Sequence, residues 1–126
     1  MIPFSVTFKS GIPIYEQVIY TVKKAIVSGR CREGDSFPSV RELSRELRIN
    51  PNTAQKIVAR LVQEKLIEIK PGVGSTVSKS GSATEEQRHH ILNTEAEKLV
   101  VEARRLSIKK GDLIEAIQTH WEMGKK

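Results

Sequence analysis

Three features of this 126-residue sequence predict a mainly α-helical fold with one small β-hairpin, a winged helix-turn-helix followed by a two-helix tail. The first is a pair of helix starts separated by little chain. Ser39-Val40-Arg41-Glu42 has the capping-box pattern, and Asn50-Pro51 sets a good N-cap before a proline suited to the first helical position. The second is two β-prone runs, Leu66-Ile67-Glu68-Ile69-Lys70 and Ser75-Thr76-Val77-Ser78, around the turn-forming Pro71-Gly72-Val73-Gly74. The third is a pair of amphipathic helical patterns over residues 84–106 and 110–122.

Taken in order, residues 1–12 read as a short extended lead-in. Pro13 opens a helix running to about Ser28, with Ile14, Val18, Val22, Ala25 and Ile26 on one stripe and Gly29 as its stop. Ile14 and Tyr15 are expected to pack against the core. Residues 30–38 read as a loop punctuated by Gly34 and Pro38. Val40, Leu43 and Leu47 give the buried face of the second helix. Arg48 and Ile49 are then the whole connection to the Asn50 cap, with Ile49 plugging the corner of a helix-turn-helix.

The third helix carries Ala54, Ile57, Val58, Leu61 and Val62 at i, i+3, i+4, i+7 and i+8, one apolar stripe. Its other face starts with Asn52, Thr53, Gln55 and Lys56 and continues to Arg60, offering amide, hydroxyl and cationic groups but no carboxylate. Such a face suits nucleic acid, since Asn and Gln can pair bidentately with adenine while Thr and Lys reach phosphates or bases. Arg41 stands in the first turn of the preceding helix, where the helix dipole disfavours a cation. A phosphate or a guanine edge would neutralise it.

The hairpin after this helix reads as a wing, with Gly72 and Gly74 free to adopt positive φ and let the backbone approach a partner. A phosphate-binding loop is excluded: the Gly-x-x-x-x-Gly-Lys-Ser/Thr spacing is absent, and the turn leads to a strand. Residues 79–83 form a small polar linker. In the tail, Leu92, Ala96, Leu99, Val100 and Ala103 share a stripe on the first helix, and Leu113, Ile114, Ile117 and Trp121 mark the second. A single helix pair buries little core, so these faces predict pairing with a second copy of the chain. The expected organisation is thus a winged helix-turn-helix over 11–79 and a dimerisation tail over 84–123.

Charge supports the same division. Residues 1–80 hold 13 Lys/Arg against 7 Asp/Glu, and residues 81–126 hold 8 of each, so the net +6 lies entirely in the first part. It can draw in a polyanion and make association salt-dependent. No apolar run approaches a membrane span and no secretory leader pattern opens the sequence, which predicts a cytoplasmic protein that does not engage membranes. Cys31 is the single cysteine, so neither an intrachain disulfide nor a cysteine-based metal site is expected. The adjacent His89 and His90 would point about 100° apart on a helix and make a poor ligand pair with Glu85 or Glu86. With no nucleophile–base constellation either, the sequence predicts no enzyme activity, no metal and no cofactor.

The ordered set Pro13-Ile14-Tyr15-x-Gln17, Gly29, Gly34-Asp35, Pro38-Ser39-x-Arg41-x-Leu43, Asn50-Pro51-Asn52-Thr53, Leu61 and Gly72-x-Gly74 resembles the GntR family of bacterial transcription regulators. The Asn-Pro-Asn-Thr helix start and the short helical tail look most like its YtrA subfamily. This resemblance implies a homodimeric repressor that binds double-stranded DNA at an inverted repeat. It implies DNA contacts at Arg41, Asn50, Asn52, Thr53, Gln55 and Gly72, with Gly72 at the wing tip entering the minor groove; Ser39, Lys56, Arg60 and Lys70 complete the expected DNA-binding set. Gln55 stands where other branches carry a guanine-reading arginine, so adenine is its expected base.

Departures from the family pattern are specific. Pro71 and Val73 replace basic wing residues, Thr76 stands where Phe is common, and Lys65 replaces a helix-ending glycine, which predicts strain in the turn into the hairpin. Two readings from other classes remain beside the regulator: a protein-binding winged-helix adaptor, and a small-molecule enzyme requiring a deep pocket. The sequence names no small-molecule effector; one would be expected at the dimer interface or between tail and winged domain.

Overall fold

The computed structural model describes Phe4, residues 6–79 and residues 84–123, which fall in two compact units, one before and one after the segment around residue 82. Residues 80–83, most of the expected linker, lie outside the described residues, as do residues 1–3 and 5 of the expected lead-in. In the first unit, α1 (Ile14–Val27) is followed by β1 (Ser36–Phe37), α2 (Val40–Leu47), α3 (Pro51–Gln63), β2 (Ile67–Lys70) and β3 (Gly74–Val77). This is the predicted winged helix-turn-helix, mainly helical with a small sheet.

Each helix end has a local cause. Pro13 caps α1 through its carbonyl, which accepts from Glu16 and Gln17, and Gly29 (φ 85°) ends the helix as expected. The capping box of α2 is complete: Ser39 Oγ accepts from the Glu42 amide at 3.1 Å, and Glu42 Oε1 accepts from the Ser39 amide at 3.2 Å. Those two hydrogen bonds hold the Glu42 carboxyl below the usual carboxylate range. At the other end of α2, Arg48 takes left-handed geometry (φ 54°, ψ 49°), and Ser44 Oγ donates to the Ile49 carbonyl at 2.7 Å. The corner between α2 and α3 is thereby closed, with Ile49 half-buried against the core.

Asn50 Oδ1 accepts from the Asn52 amide at 2.7 Å and Pro51 occupies the first turn of α3, as the sequence predicts. Ala54, Ile57 and Leu61 are fully buried and Val58 nearly so, whereas Val62 lies at the rim. The rest of the core comes from Val18, Val22, Leu43 and Ile67, with Phe4 stacked on Phe37 at a centroid distance of 6.0 Å. Cys31 is buried as well, and desolvation, reinforced by the charge of Asp35, pushes its thiol pKa up, which makes it an inert packing residue.

The structure differs from expectation at two places in this unit. Ile14 is exposed and Ile19 is buried instead, because the face of α1 turned to the core is Tyr15, Val18, Ile19 and Val22. The loop before α2 contains strand β1, and the sheet is three-stranded and antiparallel, ordered β1-β3-β2. Ser36 pairs with Thr76 and Phe37 with Ser75, so β3 is central and Thr76 is buried. Its hydroxyl has no hydrogen-bond partner among the described residues. In the β2–β3 hairpin, Ile67 pairs with Val77 and Lys70 with Gly74. The tip is tight: the Val73 amide donates to the Lys70 carbonyl at 3.0 Å, with Gly72 at φ 77°. Lys65, at φ 63°, confirms the expected strain in the turn leading into it.

In the second unit, Thr84 and Gln87 form a capping box for α4 (Glu85–His89), which continues into a π-helical stretch His90–Glu95 and then α5 (Ala96–Arg105). The expected long helix is therefore continuous but widened in its middle. Ser107 (φ 59°) turns the chain into α6 (Lys110–Met123). Among described residues of this unit only Ala103 is buried, and Leu113 is half-buried.

Candidate nucleic-acid interface

The exposed face of α3 is presented by its own buried stripe. Because Ala54, Ile57, Val58 and Leu61 face the core, Asn52, Gln55, Lys56 and Arg60 are turned outward, with Thr53 half-buried at the edge. Ser39 and Arg41 are exposed on the cap and first turn of α2, the helix packed against α3. Lys70 and Gly72 are exposed at the end of β2 and in the wing turn. Each expected contact residue is thus at the surface or its edge, but they differ in what remains free to bind.

Arg41 and Gln55 have no hydrogen bond or ion pair through their side chains among the described residues, so a full guanidinium fork and a full amide are available. Asn50 Oδ1 accepts from the Asn52 amide, and its NH2 group remains free to donate to a phosphate. Ser39 Oγ likewise accepts from Glu42 and keeps its own O–H for a partner. Arg60 is engaged: its Nε donates to Glu64 Oε2 at 2.6 Å, while Lys23 Nζ lies 2.9 Å from the other oxygen. Partial burial pushes the Glu64 carboxyl up, but the hydrogen bonds and charges of Lys23 and Arg60 outweigh it and hold the pKa below the usual range.

Lys56 is held differently. Its ammonium sits 4.1 Å from the centroid of the Tyr15 ring, an aromatic contact that leaves the positive charge un-neutralised. Sequence reasoning placed Tyr15 in the core and stopped there; the residue is half-buried against the core and also reaches the exposed face of α3. No local pattern could reveal a contact between such distant positions. The start of α1 is anchored too: Gln17 Oε1 accepts from the Lys9 amide at 2.9 Å, and its Nε2 donates to the Lys9 and Ile12 carbonyls.

The wing tip is apolar where a basic tip was the family pattern. Val73 is 70% exposed, with Pro71 and two positive-φ glycines beside it, and Lys70 is the cation nearest the turn in sequence. In the second unit, Leu92, Ala96, Leu99, Val100, Ile114, Ile117 and Trp121 are exposed, whereas Ala103 is already covered within the single chain. Leu99, Leu113, Ala116, Ile117, His120 and Trp121 line an open apolar groove between α5 and α6. His90 pairs with Glu95 at 3.1 Å and His89 with Asn93, and no group of three or more His, Cys, Asp or Glu among the described residues could hold a metal. No helix among the described residues is long and apolar enough to cross a membrane.

Comparison with known proteins agrees with this geometry. The sequence model described as bacterial regulatory proteins, gntR family, matches residues 14–77, which span α1 through β3. The chain is 34% identical to the HTH-type transcriptional repressor YtrA of Bacillus subtilis (strain 168) over 96 residues, 75% of this chain and 74% of that protein. A GntR family transcriptional regulator from Listeria monocytogenes superposes with a TM-score of 0.68 at 29% identity, covering 89% of this chain and 98% of that one. A transcriptional antiterminator from Listeria monocytogenes EGD-e shares the fold with a TM-score of 0.86 over 98% of this chain and 92% of that one, at 22% identity. This chain belongs to the gntR family of bacterial regulatory proteins and is a YtrA-like, DNA-binding transcription regulator rather than an enzyme.

Proposed function

We propose that this regulator is a cytoplasmic, homodimeric repressor of an inverted-repeat operator. The observation that carries the reading is the outer face of α3 from Asn52 to Arg60, which holds no carboxylate, begins at the Asn50–Pro51 cap and is flanked on α2 by Arg41, unpaired among the described residues. α3 enters the major groove. Gln55 reads a base there, with adenine favoured, and Asn52 and Thr53 make polar contacts beside it. Arg41 contacts a base or a phosphate, Ser39, Asn50 and Lys56 donate to phosphates, and Lys70 and Gly72 bring the wing to the minor groove. Two copies meet half-sites about one helical turn, roughly 10 bp, apart.

The second copy is called for by the tail. Its apolar side chains Leu92 (73% exposed) and Trp121 (68%) stand in water in the single chain, together with Leu99, Val100, Ile114 and Ile117. Contiguous exposed apolar surface of this kind marks an interaction site. Repression is the activity printed for the YtrA relative, and it is the sign of regulation assigned here. Footprinting on DNA upstream of the chain's own gene, with light scattering of the protein alone and of the complex, tests the reading. Two protected half-sites, two chains per site and a reporter that rises when the gene is deleted are expected. A monomer bound to a single unrepeated site would overturn the dimer, and a reporter that falls would overturn repression.

A further inference from the structure

Two cations on the outer face of α3 are held from the side, and in opposite ways. Arg60 is neutralised by Glu64, a carboxylate. Lys56 lies 4.1 Å from the Tyr15 ring centroid, and a ring attracts the ammonium through its quadrupole without cancelling the charge. The ring covers one side of the ammonium and leaves N–H donors for an anion. Tyr15 is itself fixed, being half-buried against the core in the first turn of α1, and Gln17 anchors the chain before that turn to Lys9 and Ile12. A second aromatic–lysine contact among the described residues, Lys24 with Tyr20, is longer at 5.6 Å, lies within one helix, and rests on a ring that is 62% exposed.

We propose that Tyr15 is a positioning residue for DNA binding, with its ring holding the Lys56 ammonium in place on the exposed face of α3 so that it meets a phosphate pre-ordered. A free lysine stem would lose rotamer freedom on making that contact, and a stem held against the ring has less of it left to lose. The inference rests on α3 being the helix that lies against DNA.

A double-mutant cycle on a duplex from upstream of the chain's own gene tests it, read by fluorescence anisotropy with thermal melts as the folding control. Tyr15→Phe retains the ring and is expected to bind like the parent. Tyr15→Leu is expected to weaken binding about two- to five-fold. That loss should vanish in a Lys56→Ala background. Pentafluorophenylalanine at position 15 keeps the ring volume while reversing its quadrupole, and should reproduce the Leu loss even if Tyr15→Leu fails to fold. Equal losses with and without Lys56, or unchanged or tighter binding with the fluorinated ring, would overturn the positioning role. Unchanged affinity in Lys56→Ala alone would overturn the positioning role as well, whereas a parent that binds no DNA would show that the underlying reading of α3 fails instead.

Discussion

Glu64 at the C-terminal end of α3 accepts from Arg60 Nε at 2.6 Å, one helical turn back on the same face. Arg60 was expected to serve DNA, and this contact gives it a prior occupation. Arg60→Ala is therefore expected to weaken DNA binding less than Lys56→Ala, measured by anisotropy on one duplex. An equal or larger loss would mean that Arg60 leaves Glu64 on binding.

The same carboxylate predicts a pH dependence. Glu42 and Glu64 both have folded-state pKa values below their ordinary one, Glu42 through its hydrogen bonds with Ser39, Glu64 through Lys23 and Arg60 against the cost of burial. The folded state thus binds their protons less tightly than the unfolded chain. Their stabilisation is complete above the ordinary carboxylate pKa of 4.5 and is lost as pH falls through the depressed folded values. Glu64→Gln should cost about 0.5 kcal/mol at neutral pH, a value set by its solvent-screened site, and should flatten the acid limb of stability against pH. Denaturant melts across the acid range check it; an unchanged acid limb would contradict the ion-pair account.

Arg41→Ala should weaken operator binding by about 1–3 kcal/mol if the fork grips a guanine. An equal loss on operator and scrambled DNA would assign Arg41 to a phosphate. Gln55→Ala is expected to relax sequence choice more than it lowers general affinity, and binding-site selection with the two proteins reads this directly. Unchanged discrimination would remove Gln55 from base reading.

Lys65 holds φ at 63°, a region that costs a side chain about 1–2 kcal/mol. Lys65→Gly should raise stability by about 1 kcal/mol, less the added entropy of the unfolded chain. A fall in the denaturation midpoint would show that the lysine side chain matters more than its backbone.

Thr76, on the central strand, has a buried hydroxyl with no partner among the described residues. Thr76→Val keeps the shape and β-propensity while removing the desolvated oxygen, and is expected to stabilise by about 1 kcal/mol. Destabilisation would imply a bound water satisfying the hydroxyl.

Local chemistry explains which parts of this architecture could be read from sequence. Ser39 with Glu42, Asn50 with Pro51 and Pro71 with Gly72 each act within a few residues, so the helix starts and the wing turn were legible. Strand β1 was not: Ser36 and Phe37 become a strand only by pairing with Thr76 and Ser75. Ile14 and Ile19 lie on different sides of α1, and which side is covered depends on the helix packed across from it. The Arg60–Glu64 pair has an i, i+4 spacing that the sequence shows, whereas the Tyr15–Lys56 contact spans two helices and has no local trace. Exposure of Gln55 and Lys56 follows from the opposing apolar stripe of α3, and that of Arg41 from the Val40, Leu43 and Leu47 face of α2, which is why the recognition face emerges in outline before its internal contacts do.

The central claim is that the outer face of α3 reads DNA. Fluorescence anisotropy on the fragment upstream of the chain's own gene, against a scrambled duplex and over a salt series, tests it most directly. The account predicts tight binding to the first and weaker binding to the second, with log affinity falling against log salt by about 0.9 for each phosphate neutralised. Equal, weak binding to both duplexes would reduce the interface to a basic surface, and absence of binding at low salt would contradict the claim and favour a protein-binding winged helix.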